Sequence, residues 1–207
     1  ALGKISHVRL FGRRPRPAPP QVRDRWAHLP EPPIPPDLLR DKPEDLPPHG
    51  LARAVWSDED FPTMGWHDAT LWAFQVQHAD PFDEDTNPDP QDRAILDLDY
   101  ITRWVDPEPG TRHFQFWVAP CTLVFLGVTE LELRSSVLLE DERPRSLADI
   151  HPVKGGWHVE GHEDFDLKVA AAGFRQTFRQ APKLQPGQSL GLMERGGYSY
   201  SETPAKL

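Results

Sequence analysis

The sequence predicts a mainly β domain (β-rich α+β), an antiparallel sheet or sandwich over residues 51–185. An irregular proline-rich arm precedes it over residues 1–50, and a C-terminal tail follows over 186–207. Three observations predict this. Apolar and polar residues alternate in segment after segment: Leu96, Leu98 and Tyr100 with Asp97 and Asp99, Leu131 and Leu133 with Glu130 and Glu132, Phe165, Leu167 and Val169 with Asp164, Asp166 and Lys168. A period of two places every second side chain on one face of a strand. Half of the 24 prolines fall in the first 50 residues, where fixed φ and missing N–H donors exclude a long helix or a central strand. Consecutive strands with few helical patterns favour antiparallel pairing.

The elements follow in order. Pro15–Pro20, Pro30–Pro36 and Pro43–Pro48 read as extended chain of polyproline II character, with short helical turns expected around Val22–His28 and Asp37–Arg40. The arm is expected to lie against the body or to clamp a second copy. Strands are expected at Ala69–Gln77, Arg93–Val105, His113–Ala119, Thr122–Leu126, Thr129–Ser135, Trp157–Glu160 and Asp164–Arg179. Asp106–Gly110 reads as a turn, because Pro and Gly supply its restricted and permissive φ values. Pro120, between two apolar runs, suggests a corner or an edge position, and Gly173 a bulge within the last strand. Glu140–Ile150, with Ser146-Leu-Ala-Asp149, reads as a short helix, and Gly155-Gly156 returns the chain to a strand. Tryptophans 66, 72, 104, 117 and 157 sit in or beside strands, where large rings fill a sheet face.

Composition narrows the function classes. No apolar run approaches the roughly 20 residues that span a bilayer. The single Cys121 excludes an intramolecular disulfide and fits a reducing compartment, so cytoplasmic residence is expected and no membrane partner. Net charge is −9. Residues 1–25 hold Lys4, Arg9, Arg13, Arg14, Arg16, Arg23 and Arg25 against Asp24, a balance of about +6 that leaves about −15 on the remainder. Such a body repels nucleic acid phosphates and suits a basic protein partner or simply solubility.

The chemical motifs are incomplete. Trp66-His67-Asp68 shares its His-Asp dipeptide with metal-dependent phosphohydrolases, where it sits on a helix. Here it follows Pro62 and Gly65 and opens a strand, so Asp68 is expected to orient the His67 imidazole instead. His158-Val-Glu-Gly-His162 departs from the helical zincin pattern, and on a strand its imidazoles stand about 13 Å apart, too far to share a zinc ion. These histidines form a site only with residues from elsewhere, such as His67. The run Asp83–Asp89 starts like a calcium loop but places Pro88 and Ala94 where glycine and glutamate are needed. It reads as a solvated hairpin loop or a partner-binding one. Cys121 has no neighbouring base and reads as a small buried side chain. No catalytic residue, metal ligand set or cofactor is assigned from sequence.

Met64-Gly-Trp-His-Asp-Ala69, Ile95-Leu-Asp-Leu-Asp-Tyr-Ile101 with Trp104, and Phe116-Trp-Val-Ala-Pro-Cys-Thr-Leu-Val-Phe125 together resemble poorly characterised bacterial β-rich proteins similar to the immunity proteins of polymorphic toxin systems. The resemblance spans about residues 61–180 and transfers no catalytic residue. It implies a small binding protein that neutralises a partner toxin by surface occlusion. The acidic residues Asp83, Glu84, Asp85, Asp89 and Asp92, with exposed strand acids, are the expected contacts. One alternative is a ligand-binding or metal-dependent hydrolytic β-protein with His67, Asp68, His158 and His162 in one pocket. Another is a phage or secretion-system structural subunit, in which the arm builds a homo-oligomer.

Overall fold

The computed structural model describes residues 47–79, 91–107, 110, 112–135, 144–162 and 165–207. The arm up to residue 46, with its expected helical turns, therefore lies outside the described residues, as do Asp83, Glu84, Asp85 and Asp89.

Ten strands are present among the described residues. They are β1 (Val55–Ser57), β2 (Thr70–Gln77), β3 (Arg93–Val105), β4 (Gln115–Leu126), β5 (Glu130–Ser135), β6 (Arg145–Val153), β7 (Gly156–Gly161), β8 (Phe165–Ala170), β9 (Gly173–Phe178) and β10 (Lys183–Gln185). A 3-10 helix, Asp58–Thr63, follows β1. Every pairing is antiparallel, in the order β1-β9-β4-β3-β2-β6-β7-β8-β5, with β10 added to β4. The path consists of two broad ladders joined by a narrow seam, since β2 meets β6 only at Thr70↔Ser146 and Leu71↔Arg145. The ladders share one core, with Leu96, Leu98, Leu123, Phe125, Phe174 and Phe178 from the first and Ile150, Val159, Leu167 and Val169 from the second. The alternating pattern thus becomes one ten-stranded antiparallel sheet whose two ladders turn their apolar faces to a common core.

Several elements differ from the sequence expectation. Residues 145–153 form β6 instead of the end of a helix, because pairing with β7 buries Leu147 and Ile150 and outweighs a weak local propensity. The two strands expected around Pro120 are one continuous β4. The Pro120 carbonyl accepts from Arg179 N on the side of β9 and β10, in the gap between Cys121↔Phe178 and Val118↔Lys183. The missing proline donor falls in that gap, so no ladder bond is lost. The single strand expected over Asp164–Arg179 divides into β8 and β9, which belong to different ladders. The chain crosses between them at Ala171–Ala172, where Ala172 N donates to Leu126 O.

The largest correction concerns the strand acids. Leu96, Leu98 and Tyr100 enter the core as expected, but Asp97 and Asp99 on the opposite face are 0% exposed. The C-terminal segment, read as a tail, covers that face. Arg195, itself buried, donates to both Asp97 oxygens at 2.6 and 2.9 Å and to Asp99 at 3.1 Å. Arg179 reaches Asp97 at 2.6 Å, Leu190 N donates to Asp99 and Ser199 N to Asp97. Burial works against the Arg195 charge, yet the Asp97 hydrogen bonds and both carboxylates more than offset it and hold its pKa above the ordinary value. Asp97 and Asp99 are therefore internal ties and not partner contacts.

Gly156 shows how closely β7 approaches β8. A Cβ there would lie 2.0 Å from the Val169 carbonyl oxygen, a backbone atom with no room to move. Gly156→Ala is expected to destabilise the fold by about 1–3 kcal/mol, the range for overpacking, as read from urea unfolding. A loss below about 0.5 kcal/mol would contradict that spacing.

Candidate metal centre

The His-Asp dipeptide is held from both sides. Trp66 is buried, donates from Nε1 to Gln176 Oε1 at 2.8 Å, and donates from its backbone N to Asp149 Oδ1 at 3.2 Å. Gly65 N donates to the Tyr100 hydroxyl at 3.1 Å, and Ala69 is buried at the head of β2. Burial raises the Tyr100 pKa, so its hydroxyl stays protonated. Between these anchors the chain turns sharply, and Asp68 adopts a left-handed φ of 61°. Aspartate tolerates this conformation better than most residues, but it remains a strained position of the kind that clusters at functional sites. The strain is held by Asp68 N donating to Leu147 O and Ala69 N to Trp66 O.

His162 arrives from the other ladder. It follows Gly161, where a Cβ would stand 2.9 Å from the Phe165 carbonyl oxygen, and its N donates to Ser146 O. Its Nε2 lies 3.0 Å from Asp68 Oδ1. His67 Nε2 lies 3.6 Å from Asp68 Oδ2, and the two imidazole rings stand 5.7 Å apart, edge to face. One ligand atom from each of His67, Asp68 and His162 falls within 4.8 Å of the others. The site is open to solvent on its imidazole side, while Asp68 is mostly shielded.

His67 faces Asp68 through Nε2, and a second contact anchors its other ring nitrogen. His67 Nδ1 lies 3.1 Å from the Ala148 carbonyl, which only accepts, so this nitrogen carries the proton. A proton on His67 Nε2, or a cation held between the two residues, satisfies its contact with the Asp68 carboxylate, and the donor set of two imidazoles and one carboxylate suits a divalent transition metal. Bonds of 2.0–2.2 Å around a tetrahedral ion place ligand atoms roughly 3.4 Å apart. His162 faces Asp68 Oδ1 at 3.0 Å and His67 faces Oδ2 at 3.6 Å, and with one ligand atom per residue the set spans at most 4.8 Å, so small side-chain shifts bring it to that distance.

His158 does not join this group. It points to Asp166 at 3.0 Å, away from His162, so the expected four-residue pocket is a three-residue one. Sequence reasoning missed Gln188, whose Nε2 donates to Asp68 Oδ2 at 2.9 Å from 120 residues away. It also missed the Ala148 carbonyl. Neither residue type carries a chemical signal, and only the folding of the C-terminal segment and β6 brings them here.

The other expected residues have structural settings. Asp92 accepts from Ala79 N at 2.8 Å and lies 3.4 Å from His78 Nδ1, at the base of the acidic segment. The Ala79 hydrogen bond first, then His78, holds its pKa below the ordinary carboxylate value. Cys121 is fully buried, and burial pushes its thiol pKa well up. The native thiol should therefore resist alkylation at pH 8 and react only on unfolding, as followed by mass spectrometry. Rapid native labelling would contradict its burial. No helix among the described residues is long and apolar enough to cross a membrane. No family model, curated protein or solved structure matches this chain.

Proposed function

We propose that this chain is a metal-dependent β-protein that binds a divalent transition-metal ion through His67, Asp68 and His162 and keeps open positions for an oxygen ligand. The observation that carries the proposal is the convergence of ligand atoms from His67, Asp68 and His162 within 4.8 Å of one another at a solvent-facing turn. Three protein ligands with a solvent-facing side is the arrangement of catalytic, not structural, zinc sites. An ion so held supplies a Lewis acid and a water acidified toward neutral pH, which is the chemistry of hydrolysis. The chain's own residues prepare the site. Ala148 O fixes the His67 tautomer, Gln188 holds one Asp68 oxygen, and the Trp66 anchor sets the turn.

Calorimetric titration with zinc chloride tests this reading. The expected result is one site per chain that is abolished by His162→Ala and kept by His158→Ala. Equal loss in the two variants, or retention in both, would contradict it.

The immunity-type reading is a second proposal, supported by the acidic body and by the Asp92 contact that fastens the base of the acidic segment. Under it, amide substitutions at Asp83, Glu84, Asp85, Asp89 and Asp92 slow association with a basic partner protein more than they speed dissociation. Tight binding indifferent to salt and to these substitutions would contradict it.

A further inference from the structure

Beside the metal ligands lies a row of aromatic rings, of which Phe116 belongs to a small core cluster with Ile101, Val118 and Leu190 while Trp104 and Phe114 do not. Trp104 stacks near-parallel to His67, at 19° and a centroid distance of 6.4 Å. Phe116 packs edge to face with Trp104 at 4.9 Å and is itself buried. Phe114 meets the Trp104 edge at 6.1 Å. Trp104 and Phe114 nonetheless stay 44% and 43% exposed. Two large, partly exposed rings therefore form an apolar ledge beside a metal ligand, on a protein whose other large rings mostly pack inward.

We propose that the ligand of this centre is an aromatic carboxylate, its oxygens on the metal and its ring stacked against Trp104 with Phe114 at the edge. The inference rests on the metal-binding reading above and adds a ligand class to it. The positive centre selects an anionic oxygen group, and the neighbouring ledge offers a flat apolar face for a planar ring. The ledge and the ligands are fixed by different elements. Trp104 and Phe116 face each other across β3 and β4, whereas His67 is held by the turn before β2. Removing a ring should therefore leave the ligand set in place.

The test uses the full chain loaded with zinc, titrated with benzoate, cyclohexanecarboxylate and acetate and followed by calorimetry. Benzoate is expected to bind about tenfold or more tightly than acetate, and more tightly than cyclohexanecarboxylate, which is apolar but not planar. Trp104→Leu, which keeps an apolar cover over Phe116, should remove most of this preference, read as the ratio of benzoate to acetate affinity so that any change in zinc loading cancels. Phe114→Ser, at the rim, should weaken benzoate by a smaller factor and gives a variant with little burial to lose. Zinc binding as in wild type with no preference for benzoate, or a preference that survives both substitutions, would overturn the ledge proposal alone. Failure of zinc to bind would overturn the metal reading and this inference with it.

Discussion

Arg195→Met is expected to lower folding stability by about 3–5 kcal/mol, the range for breaking a buried ion pair by removing one partner. The cause is the position of the carboxylates it leaves behind. Asp97 and Asp99 are shut away from water on the outer face of β3, and Arg195 is the cation that reaches both. Its guanidinium also lies 4.7 Å over the Trp72 ring, a contact that methionine replaces only in part. Adding Asp99→Asn should recover part of the loss by removing one stranded charge, a non-additivity expected of contacting groups. Urea unfolding at neutral pH measures both variants. A cost below about 1 kcal/mol, or a double variant no better than the single one, would show that the C-terminal segment does not neutralise these acids.

Asp68→Gly is expected to lower zinc affinity by roughly 100-fold or more, since even residues that only support metal ligands contribute 10–100-fold. It should do so with little effect on the metal-free fold. Glycine adopts a φ of 61° freely, which offsets the lost hydrogen bonds to His162 and Gln188. A stability change within about 1 kcal/mol, with the affinity loss, is the expected pair of results. Affinity within threefold of wild type would mean that the carboxylate is only a hydrogen-bond partner of the two imidazoles.

The legibility of the chain follows from range. The alternation that marks β3 depends on which face each residue takes, and that is visible over five residues, so its bounds Arg93–Val105 are as read from sequence. What lies against the far face is not visible there. Asp97 and Asp99 look like solvent-facing acids until Arg195, about 100 residues later, is folded onto them. The same limit governs β6, where Ser146–Asp149 has no strong preference of its own and takes its form from β7. At the candidate centre, the His67-Asp68 dipeptide and His162 stand out as chemistry-bearing types, but their meeting depends on Asp68 turning left-handed and on β7 ending at Gly161. His158 carries the same chemical signal as His162 but is engaged within the ladder by Asp166 of the neighbouring β8. Gln188 carries no such signal.

The central claim is that one metal ion binds between His67, Asp68 and His162. Anomalous diffraction at the zinc edge, from crystals of the full chain grown with one equivalent of zinc, tests it most directly. The account predicts one strong peak at about 2.0–2.2 Å from both imidazole nitrogens and an Asp68 oxygen, with the fourth position open to solvent. A peak between His158 and Asp166, or none at the three residues, would contradict it.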